Sequence, residues 1–196
     1  SLASMAADTE KLRQETVSQI NELKKSEKLK KLELEQLKAG NKAYPSYLEE
    51  ARSYLQRRLL EETGKGVDVY ILADLLEVKN DQWRNAIEGY LGGNKLNLVV
   101  APKYAKTALS IYRELDKKKF WNIAVLDTEK AAGYDNDALK GSLAEEVSVQ
   151  ETYLKPYMNL LLGKVIKCNT IEELQANAIG ITPDCLLYHT FRLQYI

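Results

Sequence analysis

Cysteine is scarce in this chain: Cys168 and Cys185 are the only two, and they form no Cys-x-x-Cys pair. That excludes a zinc ribbon, a zinc hook and a thioredoxin-like redox site, and it suits a reducing compartment. Net charge is missing as well, because 28 Lys and Arg are balanced by 28 Asp and Glu. No whole-chain basic excess advertises nucleic-acid binding, so any such role falls to local patches. No apolar run approaches the roughly 20 residues that span a bilayer, and the first residues lack the basic and apolar stretches of a signal peptide. The expectation is a soluble, intracellular chain with no membrane partner. A hydrophobic share of 45% still provides for one or two modest cores.

Proline and glycine are absent from Asp8 to Lys38, where about half the residues are charged. Leu12, Thr16, Ile20, Leu23, Leu34 and Leu37 recur there at spacings near 3.5, which predicts a long, exposed coiled-coil helix. Its seam is imperfect, since Glu27 and Lys30 occupy positions that want apolar residues, so the helix needs a partner strand. Ala39 to Pro45 carries helix-stop residues. A second helix is predicted over Ser46–Glu62, with Tyr47, Leu48, Ala51, Tyr54, Leu55 and Leu59 on one face. Gly64-Lys65-Gly66 ends it. Strand-like runs (Val67–Leu72, Leu96–Val100, Asn122–Leu126, Lys164–Lys167, Leu186–Phe191) then alternate with helical patterns, the mark of an α/β module. This places arm and neck helices at 1–63 and an α/β domain at 64–196.

Sliding the chain against itself reveals an internal repeat. At an offset of 71 positions, Ala73 falls on Ala144, Val78 on Val149, Leu91 on Leu162 and Gly92 on Gly163. The stripe Trp83, Ala86, Ile87, Tyr90, Leu91 lies over Leu154, Tyr157, Met158, Leu161, Leu162, with the same helical spacing. Each stripe ends in Leu-Gly, then a short apolar strand, then another helix. The first of these helices opens at Pro102 and the second at Thr170, whose Glu173 completes a capping box. Two similar subdomains are expected, at about 67–128 and 141–196, with Gly92 and Gly163 both capping their helices at positive φ.

The order of these pieces resembles the hinge of SMC (structural maintenance of chromosomes) type proteins. Ala73-Asp74-Leu75-Leu76-Glu77-Val78, Trp83, Ala86-Ile87-Glu88, Leu91-Gly92 and Leu98-Val99-Val100 look like its first subdomain. Leu161-Leu162-Gly163-Lys164-Val165-Ile166, the Thr170 helix and Ile181-Thr182-Pro183-Asp184 look like its second. The glycine-rich stretch typical of hinges is missing after Asp184, which points to a divergent branch such as the MukB-like or Wadjet-type proteins. The resemblance implies a non-catalytic homodimerisation module, a return coiled-coil arm as partner, and an ATPase parent that organises chromosomes or defends against foreign DNA. It also implies a cytoplasmic location, nucleoid-associated in a bacterium.

Candidate sites follow from both readings. Leu186, Tyr188 and Thr190 on a terminal strand are expected, by resemblance, to meet Phe120 and Trp121 of a second copy. Arg52, Arg57, Arg58, Lys117, Lys118 and Lys119 are candidates for weak, sequence-independent DNA contact. A stand-alone nucleic-acid-binding module with a helical stalk is therefore the alternative function, and a small α/β enzyme a third. For the enzyme the signals are thin. No Gly-x-x-x-x-Gly-Lys-Ser/Thr phosphate loop occurs, Asp74, Glu77 and Glu88 lack an identifiable catalytic partner, and the Cys185/His189 pair is too small to close a metal site. No cofactor, metal or catalytic residue is expected.

Overall fold

The computed structural model describes the backbone of residues 1–38 and 44–196, with side chains for all of these except 32–38. Two compact units result, 1–45 and 46–196. The first is a single helix, α1 (Leu2–Lys38), along which Leu12, Ile20 and Leu23 are exposed. The expected stop over Ala39–Pro45 falls largely outside the described residues, as do the seam side chains of Leu34 and Leu37.

The second unit opens with α2 (Ser46–Thr63), and here the expected boundary at Gly64 is corrected. Leu48, Ala51, Leu55 and Leu59 form the apolar face of α2 and are fully buried, so the helix belongs to the globular body. Such a face needs a partner, and the unit supplies one in the helix Ala105–Tyr112 described below.

The rest of the unit is built twice. The first half runs β1 (Tyr70–Ile71), a 3-10 turn (Leu72–Leu75), β2 (Leu76–Val78), a turn (Asp81–Trp83), α3 (Arg84–Leu91), β3 (Leu98–Val99), α4 (Ala105–Tyr112) and α5 (Thr128–Ala132). The second runs a 3-10 turn (Leu143–Glu146), β4 (Val147–Val149), a turn (Thr152–Leu154), α6 (Lys155–Leu162), β5 (Ile166–Lys167), α7 (Ile171–Gln175), β6 (Ile179–Ile181), β7 (Leu186–His189) and β8 (Arg192–Tyr195). From the first 3-10 turn to the end of α3, each element recurs 71 residues later in the same form.

The halves join in a symmetric way. β2 and β4 pair antiparallel, Leu76 with Val149, Glu77 with Ser148, and Val78 with Val147. The flanking bonds are reciprocal: Lys79 N–H donates to Glu146 O (2.8 Å) and its counterpart Gln150 N–H to Leu75 O (2.9 Å). Around this ladder lies one core. Trp83, Ile87 and Leu91 from α3 and its entry turn pack in the same cluster as Leu154, Met158 and Leu162 from the repeat, so the apolar stripes read from sequence face each other's half.

Local signals set the helix starts. Asn80 Oδ1 accepts from Gln82 N–H, and Thr170 Oγ1 accepts from Glu173 N–H at 3.2 Å. The Glu173 carboxylate turns back to the Asn169 N–H (2.7 Å), one residue before the cap, which closes a shifted form of the expected box.

The two helix-ending glycines differ. Gly92 has φ 53, ψ −131, a region open to glycine alone. Gly163 has φ −73, ψ −9, so its expected positive φ is corrected. A Cβ there would lie 2.2 Å from Asn159 O and 3.1 Å from the Ala138 Cα; close backbone packing is what requires glycine. The divergence follows from what comes next, a five-residue 3-10 turn, Gly92–Leu96, in the first half and a short turn at Gly163-Lys164 leading to β5 in the second.

Both halves begin their sheets alike. In the first, β3 pairs antiparallel with β1 and meets Val125 in a parallel bridge; in the second, β5 meets Ser142 in an antiparallel bridge and pairs parallel with β6. Of the strand expected over Asn122–Leu126, only the Val125 bridge exists. The second half then continues, giving the order β5-β6-β7-β8.

Candidate interaction surface

The expected terminal strand Leu186–Phe191 is corrected to a hairpin. β7 is interior, flanked by β6 and β8, so its backbone groups are paired on both sides and Leu186 and Tyr188, both half-buried, offer only side chains. His189 pairs with Arg192 across a two-residue loop, Thr190 (φ 50) and Phe191 (φ 60). Two positive φ values define a type I′ turn, whose usual residues are Asn and Gly. A β-branched and an aromatic residue there carry about 1–3 kcal/mol of strain each. Thr190 is therefore a turn residue and exposed. Cys185 (φ 68) precedes β7 rather than sharing a strand face with His189.

The open edge of this sheet is β8. All four of its residues are exposed, including Leu193 (49%) and Tyr195 (69%). Natural edge strands are usually blunted by lysine, proline or a bulge; β8 offers only Arg192 as a charge. Sequence reading missed β8 because nothing marks the Thr190-Phe191 turn.

The aromatic pair expected opposite divides. Phe120 is 8% exposed and belongs to its own half, whereas Trp121 is 78% exposed. Lys117–Lys119 lie in the turns that follow α4, which ends at Tyr112, so they do not end the helix.

Most of the basic candidates are occupied. Arg58 donates to both Glu114 oxygens (2.9 and 3.0 Å), to Glu61 (2.9 Å) and to Glu62 (2.8 Å). Tyr54 Oη also donates to Glu114 (2.7 Å). Arg58 and Tyr54 together hold the Glu114 carboxyl down at about 2. Arg52 donates to Val69 O (2.7 Å), Arg57 lies 3.8 Å from Glu61 and over the Tyr54 ring, and Lys119 lies 2.6 Å from Glu50. Lys117 and Lys118 are exposed.

Burial pushes the Cys168 and Cys185 thiols up, so neither is primed as a nucleophile. Among the described residues no cluster of three or more His, Cys, Asp or Glu is disposed to hold a metal.

A doubled α/β unit with a shared core and one open edge is the architecture of a two-subdomain hinge module. The family model for the flexible hinge domain of SMC proteins matches residues 65–178, and the chain belongs to that family. Solved structures similar to it include three SMC hinge structures. The Pyrococcus furiosus SMC protein hinge domain aligns at 19% identity, TM-score 0.50, over 78% of this chain and 90% of that one. The Pyrococcus furiosus Smc hinge domain with an extended coiled coil aligns at 22% identity, TM-score 0.53, over 100% and 71%. An asymmetric dimer of the Geobacillus stearothermophilus SMC hinge domain aligns at 20% identity, TM-score 0.53, over 84% and 80%. A search of curated proteins returned no match.

Proposed function

We propose that this chain is the homodimerising hinge of an SMC-like protein, a non-catalytic module that joins two coiled-coil arms. Its parent is read as a cytoplasmic or nucleoid-associated ATPase that organises chromosomes or acts in DNA defence, with the return arm as partner of α1. The single observation that carries the reading is β8, an exposed edge strand in a hinge fold that presents Leu193 and Tyr195 with a single charge, Arg192. The first half's sheet has no described strand beyond Val125, where the second half continues with β7. Trp121, four residues before Val125 and 78% exposed, is the aromatic anchor that a mate's β8 would cover. Two such contacts related by a two-fold axis close the dimer. Leu186 and Tyr188, paired in β7 with Tyr195 and Leu193 of β8, support that edge from behind.

Light scattering on the full chain tests this. Leu193→Lys with Tyr195→Lys alters exposed residues only, so the expected product is a folded monomer; Trp121→Ala should weaken the dimer by about 2 kcal/mol, roughly thirtyfold in Kd. A folded dimer of unchanged affinity in both variants would remove this surface.

A second reading, nucleic-acid binding, rests on Lys117 and Lys118 beside exposed Trp121, a lysine and aromatic combination suited to single strands. Binding that weakens steeply with salt and is lost in Lys117→Gln with Lys118→Gln would support it; salt-independent or undetectable binding would exclude it.

A further inference from the structure

Trp121 stands on a segment without regular structure: residues 113–124 run through turns between α4 and the Val125 bridge. Its indole, 78% exposed, does little to hold that segment in place. Its neighbours do the holding. Two residues before it, Lys119 Nζ donates to Glu50 at 2.6 Å, and one residue after it, Asn122 donates to Tyr47 Oη, also at 2.6 Å. Phe120, between the two anchors, is buried, and Tyr112 Oη donates to Ile123 O at 2.7 Å. Tyr47 and Glu50 are three residues apart, so both reach the segment from one side of the first turns of α2.

α2 does not depend on these two bonds to stay docked, because the burial of Leu48, Ala51, Leu55 and Leu59 is apolar and lies behind them. Their effect falls instead on the segment they grip. An irregular segment that must be ordered when a partner arrives charges that entropy to the binding step, and one already ordered does not.

We propose that Tyr47 and Glu50 are positioning residues for Trp121, pinning the segment on both sides of it so that the indole is presented in a fixed place before contact. The inference rests on the reading of Trp121 as the anchor that a mate's β8 covers, and it adds that the strength of this contact is set from α2. By linkage the effect runs both ways, so that covering Trp121 also tightens the first turns of α2.

Tyr47→Phe combined with Glu50→Ala tests it on the full chain, since the pair removes one hydroxyl and one exposed carboxylate and leaves the buried face of α2 intact. The first readout is hydrogen exchange at the Phe120 and Ile123 amides, which close the turns onto Asp116 O and Phe120 O. It is made with Leu193→Lys and Tyr195→Lys present, so that the β8 contact does not enter. Both amides are expected to exchange at least about threefold faster while those of α3 and α6 keep their rates. The second readout is the dimer Kd in the absence of the lysines, expected to rise roughly fivefold. With Trp121→Ala already in place that rise should vanish, because residues that act through the indole lose their effect once it is gone. Unchanged exchange at both amides overturns the proposal, and so does a rise in Kd that is equal with and without Trp121. If Trp121→Ala by itself leaves the dimer unaltered, the β8 reading fails, and faster exchange at the two amides still upholds the positioning of Trp121 by α2.

Discussion

Glu77 lies directly across from Ser148 in the β2–β4 pair, and each is the other's counterpart in the 71-residue repeat. The residue at the centre of the ladder thus pairs with its own repeat image, and a local two-fold axis passes between the two strands. Leu76 with Val149 and Val78 with Val147 are the same contact seen from either side.

One shared core predicts one cooperative unfolding event for residues 46–196. Leu91→Ala and Leu162→Ala, counterparts that are both buried in that cluster, should each cost about 2–5 kcal/mol and lower a common urea midpoint followed by fluorescence and circular dichroism. Two separate transitions, one moved by each substitution, would show that the halves fold independently.

The two glycines should fail for different reasons. Gly92→Ala places a Cβ in open space at φ 53 and should cost about 1 kcal/mol or more from backbone conformation alone. D-alanine introduced at position 92 should recover that loss. Gly163→Ala drives a Cβ into the Asn159 carbonyl oxygen and should cost about 1–3 kcal/mol through displaced backbone. Denaturant midpoints of the three proteins decide the point.

Acid should loosen α2. Glu114 titrates at about 2 in the fold against an ordinary value of 4.5. Because its folded value is depressed, the stabilisation is fully present above pH 4.5 and is lost as pH falls towards 2. Glu114→Gln should lower the melting temperature at neutral pH and flatten its dependence on pH within that window. A slope identical to the parent's would mean that the Arg58 contact is too solvated to matter.

The helical stripes were legible because burial imposes a 3.6-residue period, and α2, α3 and α6 bury the faces that the sequence displayed. The repeat was legible for the same reason, since both halves fill one core. The strands were overlong in prediction because short apolar runs carry no period that separates a two-residue bridge from a full strand. β8 and the hairpin tip were invisible: Thr190-Phe191 sends no turn signal. The α2 boundary was misjudged because Gly64 ends a helix without ending a domain. The basic candidates looked available only because sequence separates Arg58 from Glu114 by 56 positions.

The attachment of α2 has a mechanical consequence. Tension applied along the chain from its N-terminal side enters the globular unit at Ser46, and the first side chains to bear it are Tyr47, bonded to Asn122, and Glu50, bonded to Lys119. Behind them the load spreads over Leu48, Ala51, Leu55 and Leu59 as shear along a packed face, and the Arg58–Glu114 clip carries it into the segment after α4. Force entering at α2 therefore reaches the first half of the hinge before any strand of the second half feels it.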